Sequence, residues 1–135
     1  MLEGEITPNR PDSGKLQRIR FYRCPSCGNI LTSTGSASVS CCGRKLDALP
    51  EGAPPVPAEA EEIDGEYYVS FAHSMTKEHH LVFAAYTNND LLLLRRLYPE
   101  QDASLRIPLL RGGTLYLCCT EHGLSVIPNF LPLKK

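Results

Sequence analysis

No long apolar run occurs in this sequence of 135 residues, and that absence excludes the proteins that span a bilayer with helices. None of its hydrophobic stretches approaches the roughly 20 residues that such a helix needs. The first ten residues, MLEGEITPNR, also lack the apolar core of a secretory signal peptide. We therefore expect a cytoplasmic protein with no membrane partner.

A strong excess of one charge is also missing, since the formal net charge is −1. Residues 1–46 hold seven Lys and Arg against three Asp and Glu, whereas residues 47–135 hold seven against twelve. The basic residues of the first part are scattered rather than clustered, which indicates ordinary solvated surface. We expect no nucleic-acid binding by this chain itself.

Amphipathic helices and internal repeats are absent as well, so the pattern that remains is one of short strands and turns. Hydrophobic residues make up 42% of the chain and charged residues 21%, a composition typical of globular proteins. The length allows one ordinary domain, or a small metal-stapled module followed by a domain of about 70 to 90 residues.

Prolines and glycines divide the chain into segments. Residues 1–18 show no helical or strand period and are predicted to form a flexible arm. Residues 21–46 have too few large apolar residues for a core of their own, but they combine paired cysteines with glycines. PEGAPPVP at 50–57 contains four prolines in eight residues, which is typical of a semi-rigid spacer. We assign residues 19–46 to a module, 47–62 to a linker and 63–135 to a second domain.

Strand patterns follow the predicted linker. EYYVSFA (66–72) alternates apolar and polar residues, while LVFAAY (81–86) is a continuous apolar run suited to burial on both faces. TNND at 87–90 is predicted to be a turn, and LLLLRRL after it is either a hairpin strand or a short helix. Three further strands are predicted in SLRIP (104–108), GGTLYLCC (112–119) and LSVI (124–127). These patterns predict an all-β sandwich.

Four of the six cysteines have the spacing of a metal site. Cys24 and Cys27 form a C-x-x-C knuckle, which lets both thiolates reach one ion. Cys41 and Cys42 are adjacent and precede Gly43. Sulfur-only coordination suits iron and zinc alike, so the residues do not choose between the two metals. The alternative is a set of unrelated buried or redox-active cysteines.

FYRCPSCGNI followed by SCCG resembles the desulforedoxin-type module at the start of desulfoferrodoxins. In that family a C-x-x-C pair and an adjacent C-C pair hold one iron. The resemblance covers residues 20–46. It implies a desulforedoxin-like four-cysteine module, followed at 63–135 by a superoxide reductase-like domain of immunoglobulin-like β-sandwich topology.

Two elements of the second part resemble superoxide reductases as well. HSMTKEHH looks like their H-P-M-x-x-x-H element, with Ser74 in place of proline, and CTEHG looks like their C-x-x-H-G element. The resemblance implies that His73, His79 and His122 are imidazole ligands of a second iron, with Cys119 as its axial thiolate. The alternative is that these four are solvated loop residues.

Strand alternation separates two neighbouring pairs in these elements. If TLYLCC is a strand, Cys118 and Cys119 face opposite sides, so only one reaches an ion. The same argument separates His79 from His80 at the start of the LVFAAY strand. The position of His80 is usually aromatic in the family, which favours a packing or supporting role for it.

One ligand of the family has no counterpart here. The family supplies another in-plane histidine, often preceded by a lysine, from the segment that enters the second domain. In this chain that segment reads EGAPPVPAEAEEIDG and contains neither residue. Lys77 is a candidate for the missing positive charge, and three imidazoles with one thiolate still bind iron or zinc.

Two classes of function follow from the resemblance. In the first, the chain is a non-haem iron protein that reduces superoxide to peroxide, with electrons from an external donor such as a rubredoxin-like protein. In the second, the chain is a catalytically degenerate module that binds iron or zinc and acts as an electron carrier, redox sensor or regulatory interaction domain. A homo-oligomer is compatible with either class.

Overall fold

A computed structural model of the chain describes residues 19–130, and these residues contain strands and turns but no helix. The predicted arm at 1–18 lies outside the described residues. No helix long and apolar enough to cross a membrane is found in the described part of the chain. The chain divides into two compact units, residues 1–49 and 50–135. The prediction of an all-β protein with a small module and a sandwich domain is confirmed.

The described part of the first unit, residues 19–49, contains two hairpins. Strands β1 (Arg20–Arg23) and β2 (Ile30–Ser33) pair antiparallel, as do β3 (Val39–Cys41) and β4 (Arg44–Leu46). A small cluster of buried side chains lies between them, with Tyr22, Cys24 and Leu46 at its centre. Ile19 and Phe21 are buried as well. Five buried side chains in the described part of this unit still give little hydrophobic stabilisation, which favours a metal as the element that holds the unit together.

The second unit contains two antiparallel sheets. Its strands in chain order are β5 (Ala58–Ile63), β6 (Glu66–Phe71), β7 (Leu81–Asn88), β8 (Leu91–Arg96), β9 (Ser104–Pro108), β10 (Thr114–Cys119) and β11 (Gly123–Ile127). One sheet has the order β9-β6-β5 and the other β11-β10-β7-β8. Because β8 pairs with β7, the hairpin prediction for LLLLRRL is confirmed and the helix alternative is wrong.

The core of the second unit lies between the two sheets. Val69 and Phe71 contribute from β6, Tyr86 from β7, and Leu115 and Leu117 from β10. Strand β7 is buried along almost its whole length, as expected for a continuous apolar run in a central strand. This packing fixes the ends of β6, β7 and β10, which carry the second candidate site.

The predicted linker differs from the structure. The second unit begins at Pro50, and Ala58–Ile63 forms a strand paired with β6. The N–H groups of Gly52 and Ala53 both donate to the carbonyl of Leu124. Residues 50–62 therefore belong to the second unit, because the non-proline residues among the prolines still supply backbone hydrogen-bond donors.

Strand β5 is an edge strand that alternates small and acidic side chains. Ala58 and Ala60 pack against the core, whereas Glu59, Glu61 and Glu62 are exposed. Within the described residues β5 pairs on one side only, with β6. Exposed charges on such a strand oppose pairing with another chain.

Candidate metal centres

The structure brings Cys24, Cys27, Cys41 and Cys42 together in the first unit. Their sulfur atoms all lie within 4.8 Å of one another, and Cys27 Sγ is 3.7 Å from Cys41 Sγ. A tetrahedral ion with metal–sulfur bonds of about 2.3 Å separates its ligands by about 3.8 Å. The four sulfurs therefore fit a tetrahedral tetrathiolate site.

The C-x-x-C knuckle is closed by backbone hydrogen bonds. The N–H of Gly28 donates to the carbonyl of Cys24 at 2.8 Å, and the N–H of Cys24 donates to the carbonyl of Asn29 at 2.9 Å. The backbone N–H of Cys27 donates to the Cys24 sulfur and lowers the pKa of that thiol to about 6, despite burial. Cys24 is thus held in the thiolate form that binds metals.

A two-residue turn explains how adjacent cysteines serve one site. Cys41 pairs with Arg44 across the β3–β4 hairpin, which leaves Cys42 and Gly43 as the turn. Both have positive φ, 53° and 74°, as in the type I′ turns that join tight hairpins. Neighbouring residues of a strand point to opposite faces, and the left-handed backbone at Cys42 removes that alternation.

The pKa values of Cys41 and Cys42 are shifted in the opposite direction from that of Cys24, upwards. The side chains of Cys27 and Cys24 raise the pKa of Cys42 to about 12. For Cys41, the Asn29 amide lowers the pKa, but the neighbouring Cys27 and burial outweigh it and the net pKa is raised. Crowding of four thiols disfavours several negative charges without a cation among them, so the cluster is electrostatically suited to a metal ion.

The second candidate site lies where three strand ends of the second unit meet. His73 follows β6, His79 precedes β7, and Cys119 ends β10. Ligand atoms of these three residues all lie within 4.8 Å of one another. His122, in the turn after β10, adjoins this set, since its Nδ1 is 3.4 Å from Cys119 Sγ.

The donor spacing of this site also fits a metal ion. His79 Nε2 lies 3.2 Å from Cys119 Sγ. Nitrogen and sulfur ligands at bond lengths of about 2.0 and 2.3 Å are separated by about 3.1 to 3.6 Å at right-angled or tetrahedral geometry. Both nitrogen–sulfur distances, to His79 and to His122, fall in this range.

Hydrogen bonds orient the ligand side chains. His73 Nδ1 lies 2.7 Å from the carbonyl oxygen of Ser74. Because a carbonyl only accepts, Nδ1 is the donor, and the lone pair of Nε2 remains available for a metal. The N–H of Glu121 donates to Cys119 Sγ at 3.4 Å, a contact that stabilises a thiolate. The ring of His80 instead faces the carbonyl of Thr76 at 3.0 Å, so the structure separates the two histidines as alternation predicts.

Strand register likewise separates the two cysteines. Cys119 belongs to the core cluster with Leu115 and Leu117, four and two residues before it, so these three share one face of β10. Cys118 is buried but is not among the members of that cluster. The pairing of β10 with β7 shifts register between Cys118 and Cys119.

A cavity of about 210 Å³ adjoins the second site. Its lining includes His73, His79, Cys119 and His122 on one side and the run from Ala53 to Pro57 on another. The segment in which the family carries its additional histidine therefore does border the site, but with alanine, proline and valine. Lys77 is exposed and is not among the lining residues.

Sequence reasoning missed the supporting residues. Asn29 donates its amide to Cys41 Sγ at 3.6 Å, and Ser125 donates its hydroxyl to the carbonyl of Pro54 at 3.1 Å. Thr120 joins the two loops that carry His79 and His122. Asn29 lies within FYRCPSCGNI and Thr120 lies within CTEHG, and this position next to the candidate ligands is the one sequence signal for their roles. Ser125 lies in an ordinary strand pattern without such a signal.

A search of the solved structures finds the same architecture in a crystal structure of the superoxide reductase from Treponema pallidum. The TM-score is 0.69 at 20% sequence identity, and the match covers 84% of this chain and 98% of that chain. No protein-family model and no curated protein matches the sequence. At this identity the similarity establishes the fold. The chain thus has the fold of a superoxide reductase and, in its first unit, a four-cysteine cluster that can hold a metal.

Proposed function

We propose that this chain is a non-haem iron protein that reduces superoxide to peroxide at its second site, with an electron from a rubredoxin-like external donor. The observation that carries the proposal is the grouping of His73 and His79 with the sulfur of Cys119, with His122 beside that sulfur, at the edge of a cavity. The superoxide reductase fold of the neighbour supports it.

Iron held by this donor set would supply a one-electron reductant. The residues of the chain set its surroundings. The Cys119 thiolate would donate electron density to that iron, which would favour reduction of an oxygen species, and the N–H of Glu121 donates a hydrogen bond to the same sulfur. A cavity of about 210 Å³ admits a diatomic anion. In the overall reaction superoxide gains one electron from the donor and two protons, which we assign to water because no lysine lines the cavity.

The four-cysteine site has a structural role in this proposal, with iron or zinc in it. All six cysteines are free thiols, which suits a reducing compartment, and we therefore place the protein in the cytoplasm. A metal there would connect both hairpins of the first unit, since Cys27 and Cys42 come from different hairpins.

Anaerobic purification followed by metal analysis and visible absorption tests the proposal. After oxidation of the purified protein we expect a red ferric tetrathiolate spectrum if iron occupies the first site, no visible band if zinc does, and a blue thiolate-to-iron band from the second site. The reduced protein should consume superoxide rapidly after pulse radiolysis. Cys119→Ala should abolish the blue band and the superoxide reaction and leave the red spectrum. Cys118→Ala is the matched control, because Cys118 does not line the cavity, and it should keep both bands.

The composition of the cavity wall favours a second candidate function. With no histidine or lysine between Ala53 and Pro57, the second site holds one ligand fewer than the family pattern and lacks a nearby cation. Such a site would suit an electron carrier, redox sensor or regulatory interaction domain. Metal at both sites without superoxide consumption above that of Cys119→Ala would support this candidate and refute the enzymatic one.

A further inference from the structure

The turn after β10 contains a hydroxyl that contacts both sides of one ligand. Thr120 Oγ1 accepts a hydrogen bond from the N–H of His80 at 3.2 Å and donates to the carbonyl of Glu78 at 3.4 Å. Glu78 and His80 flank His79 in the sequence. One side chain thereby holds the backbone immediately before and immediately after the His79 imidazole.

Thr120 is also the neighbour in sequence of Cys119, the candidate sulfur ligand. It follows Cys119 directly and lies two residues before His122. Its own N–H donates to the carbonyl of His80 at 3.0 Å, which continues the pairing of β10 with β7 for one more residue. The hydroxyl therefore adds to a backbone contact that any residue at position 120 would make.

The loop that carries His79 meets the strand of the sulfur at its end, where Leu81 pairs with Cys119. Thr76 closes that loop on itself, since its hydroxyl donates to the carbonyl of His79 and accepts from the N–H of His79, each at 3.1 Å. These bonds shape the loop internally. The hydroxyl bonds of Thr120 extend this tie beyond the strand pairing, to His80 and Glu78 on the two sides of His79.

We propose that Thr120 is a positioning residue for the second metal site. Its hydroxyl sets the distance between His79 and Cys119. This inference rests on the proposed binding of a metal there by the same residues. His79 Nε2 and Cys119 Sγ are 3.2 Å apart, within the narrow range that a shared ion allows. Loss of the hydroxyl leaves the N–H of His80 and the carbonyl of Glu78 without this partner, and the His79 loop then gains freedom relative to the sulfur.

Thr120→Val tests the inference, because valine keeps the shape of threonine and removes its hydroxyl. In anaerobic Fe²⁺ titrations of the full chain we expect the second site of this variant to bind iron about 10- to 100-fold more weakly, the typical effect of removing a group that orients a ligand. Thr120→Ser keeps the hydroxyl and should restore affinity. Thr114→Val, at the opposite end of β10, is the matched control and should bind as the wild type.

Two further measurements separate positioning from a general loss of stability. The thiolate-to-iron band of Thr120→Val should shift or broaden relative to the wild type, while that of Thr120→Ser should not. Without metal, Thr120→Val should unfold only slightly below Thr120→Ser, because the Glu78 contact is exposed and the His80 contact is only partly buried, so water can replace the lost hydroxyl. With iron, only the valine variant should gain less stabilisation than the wild type.

Each outcome has a distinct meaning. If wild-type protein binds iron at the second site and Thr120→Val matches it in affinity and spectrum, the positioning role is refuted while the proposed function stands. If serine fails to restore what valine loses, the hydroxyl is not the cause and the inference is again refuted. If wild-type protein binds no second metal, the proposed function fails, and this inference fails with it.

Discussion

Asn29 lies beside the four sulfurs, and its contribution can be isolated. Its side-chain amide donates to Cys41 Sγ at 3.6 Å and lowers the pKa of that thiol. Its backbone carbonyl separately accepts the N–H of Cys24. Substitution of the side chain therefore changes the electrostatics of Cys41 and keeps the backbone of the knuckle.

We expect Asn29→Ala to lose its metal at a higher pH than the wild type during acid titration. Protons compete with metal for thiolates, and removal of the amide donor makes the Cys41 thiolate more basic, so protonation begins earlier as the pH falls. Asn29→Asp adds a negative charge and should raise the release pH further. Zn²⁺ release to a chromophoric chelator, in a Cys119→Ser background that leaves only the first site, measures the effect. The order Asn, Ala, Asp of rising release pH is the prediction, and an unchanged pH in both variants would contradict it.

Elements of regular pattern were predictable from the sequence, and those whose role depends on tertiary contacts were not. LVFAAY is a continuous apolar run, and this composition alone predicts a central strand. Every residue in it is buried in the structure. AEAEEI (58–63) lies almost entirely within the predicted 47–62 linker, and its small and acidic residues have low strand propensity. Its pairing with EYYVSF supplies the stabilisation that the residues themselves lack.

The proline-rich segment defines what the second site is missing. Pro54, Pro55 and Val56 all line the cavity opposite the histidines. Val56 is also a buried core residue, with 8% of its surface exposed, whereas both prolines are exposed. A histidine at a proline position thus has a route to the site that does not empty the core.

We expect that histidine placed singly at Pro54, Pro55 or Val56 will, in at least one variant, tighten iron binding at the second site and raise superoxide consumption. A fifth ligand fills a coordination position that otherwise admits stray ligands, and the other four ligands are already in place. Val56→His should in addition lower the unfolding temperature, because it buries a polar ring in the core. Pro57→Ala, at the other end of the segment, serves as the control. If all three variants bind iron with the affinity of the wild type, residues 54–56 are not the segment from which an additional histidine ligand can reach the site.

The two units of the molecule differ in what stabilises them. The second unit has a core between two sheets. The described part of the first unit has five buried residues, and one of them is the cysteine Cys24. Loss of metal should therefore affect the two units unequally.

Cys42→Ser should release the first metal and unfold residues 20–46, with the second unit still folded. Two-dimensional amide NMR of the full chain measures this directly, since signals from residues 20–46 should collapse to the random-coil region and those of the sandwich should persist. Ser40→Ala, an exposed change in the same hairpin, should leave the spectrum intact. Full retention of metal in Cys42→Ser would refute the four-cysteine assignment.

The grouping of ligands could be predicted on the scale of the whole chain, but their support could not. Cysteine spacing and two histidine-containing motifs are local signals. The structure groups the four cysteines of the first unit, groups His73 and His79 with Cys119, and places His122 beside the Cys119 sulfur. Thr120 and Ser125 act through contacts 40 or more positions away in the sequence. No local pattern encodes such a pairing, because it depends on which strand ends meet.

The acidic edge of β5 has a consequence for handling the protein at high concentration. Glu59, Glu61 and Glu62 give the open side of this strand a row of negative charges, and repulsion between two such rows opposes fibril-like assembly. Strong acid or high salt weakens that repulsion. Concentrated samples are therefore best kept near neutral pH and at low ionic strength, where this strand remains a barrier to aggregation.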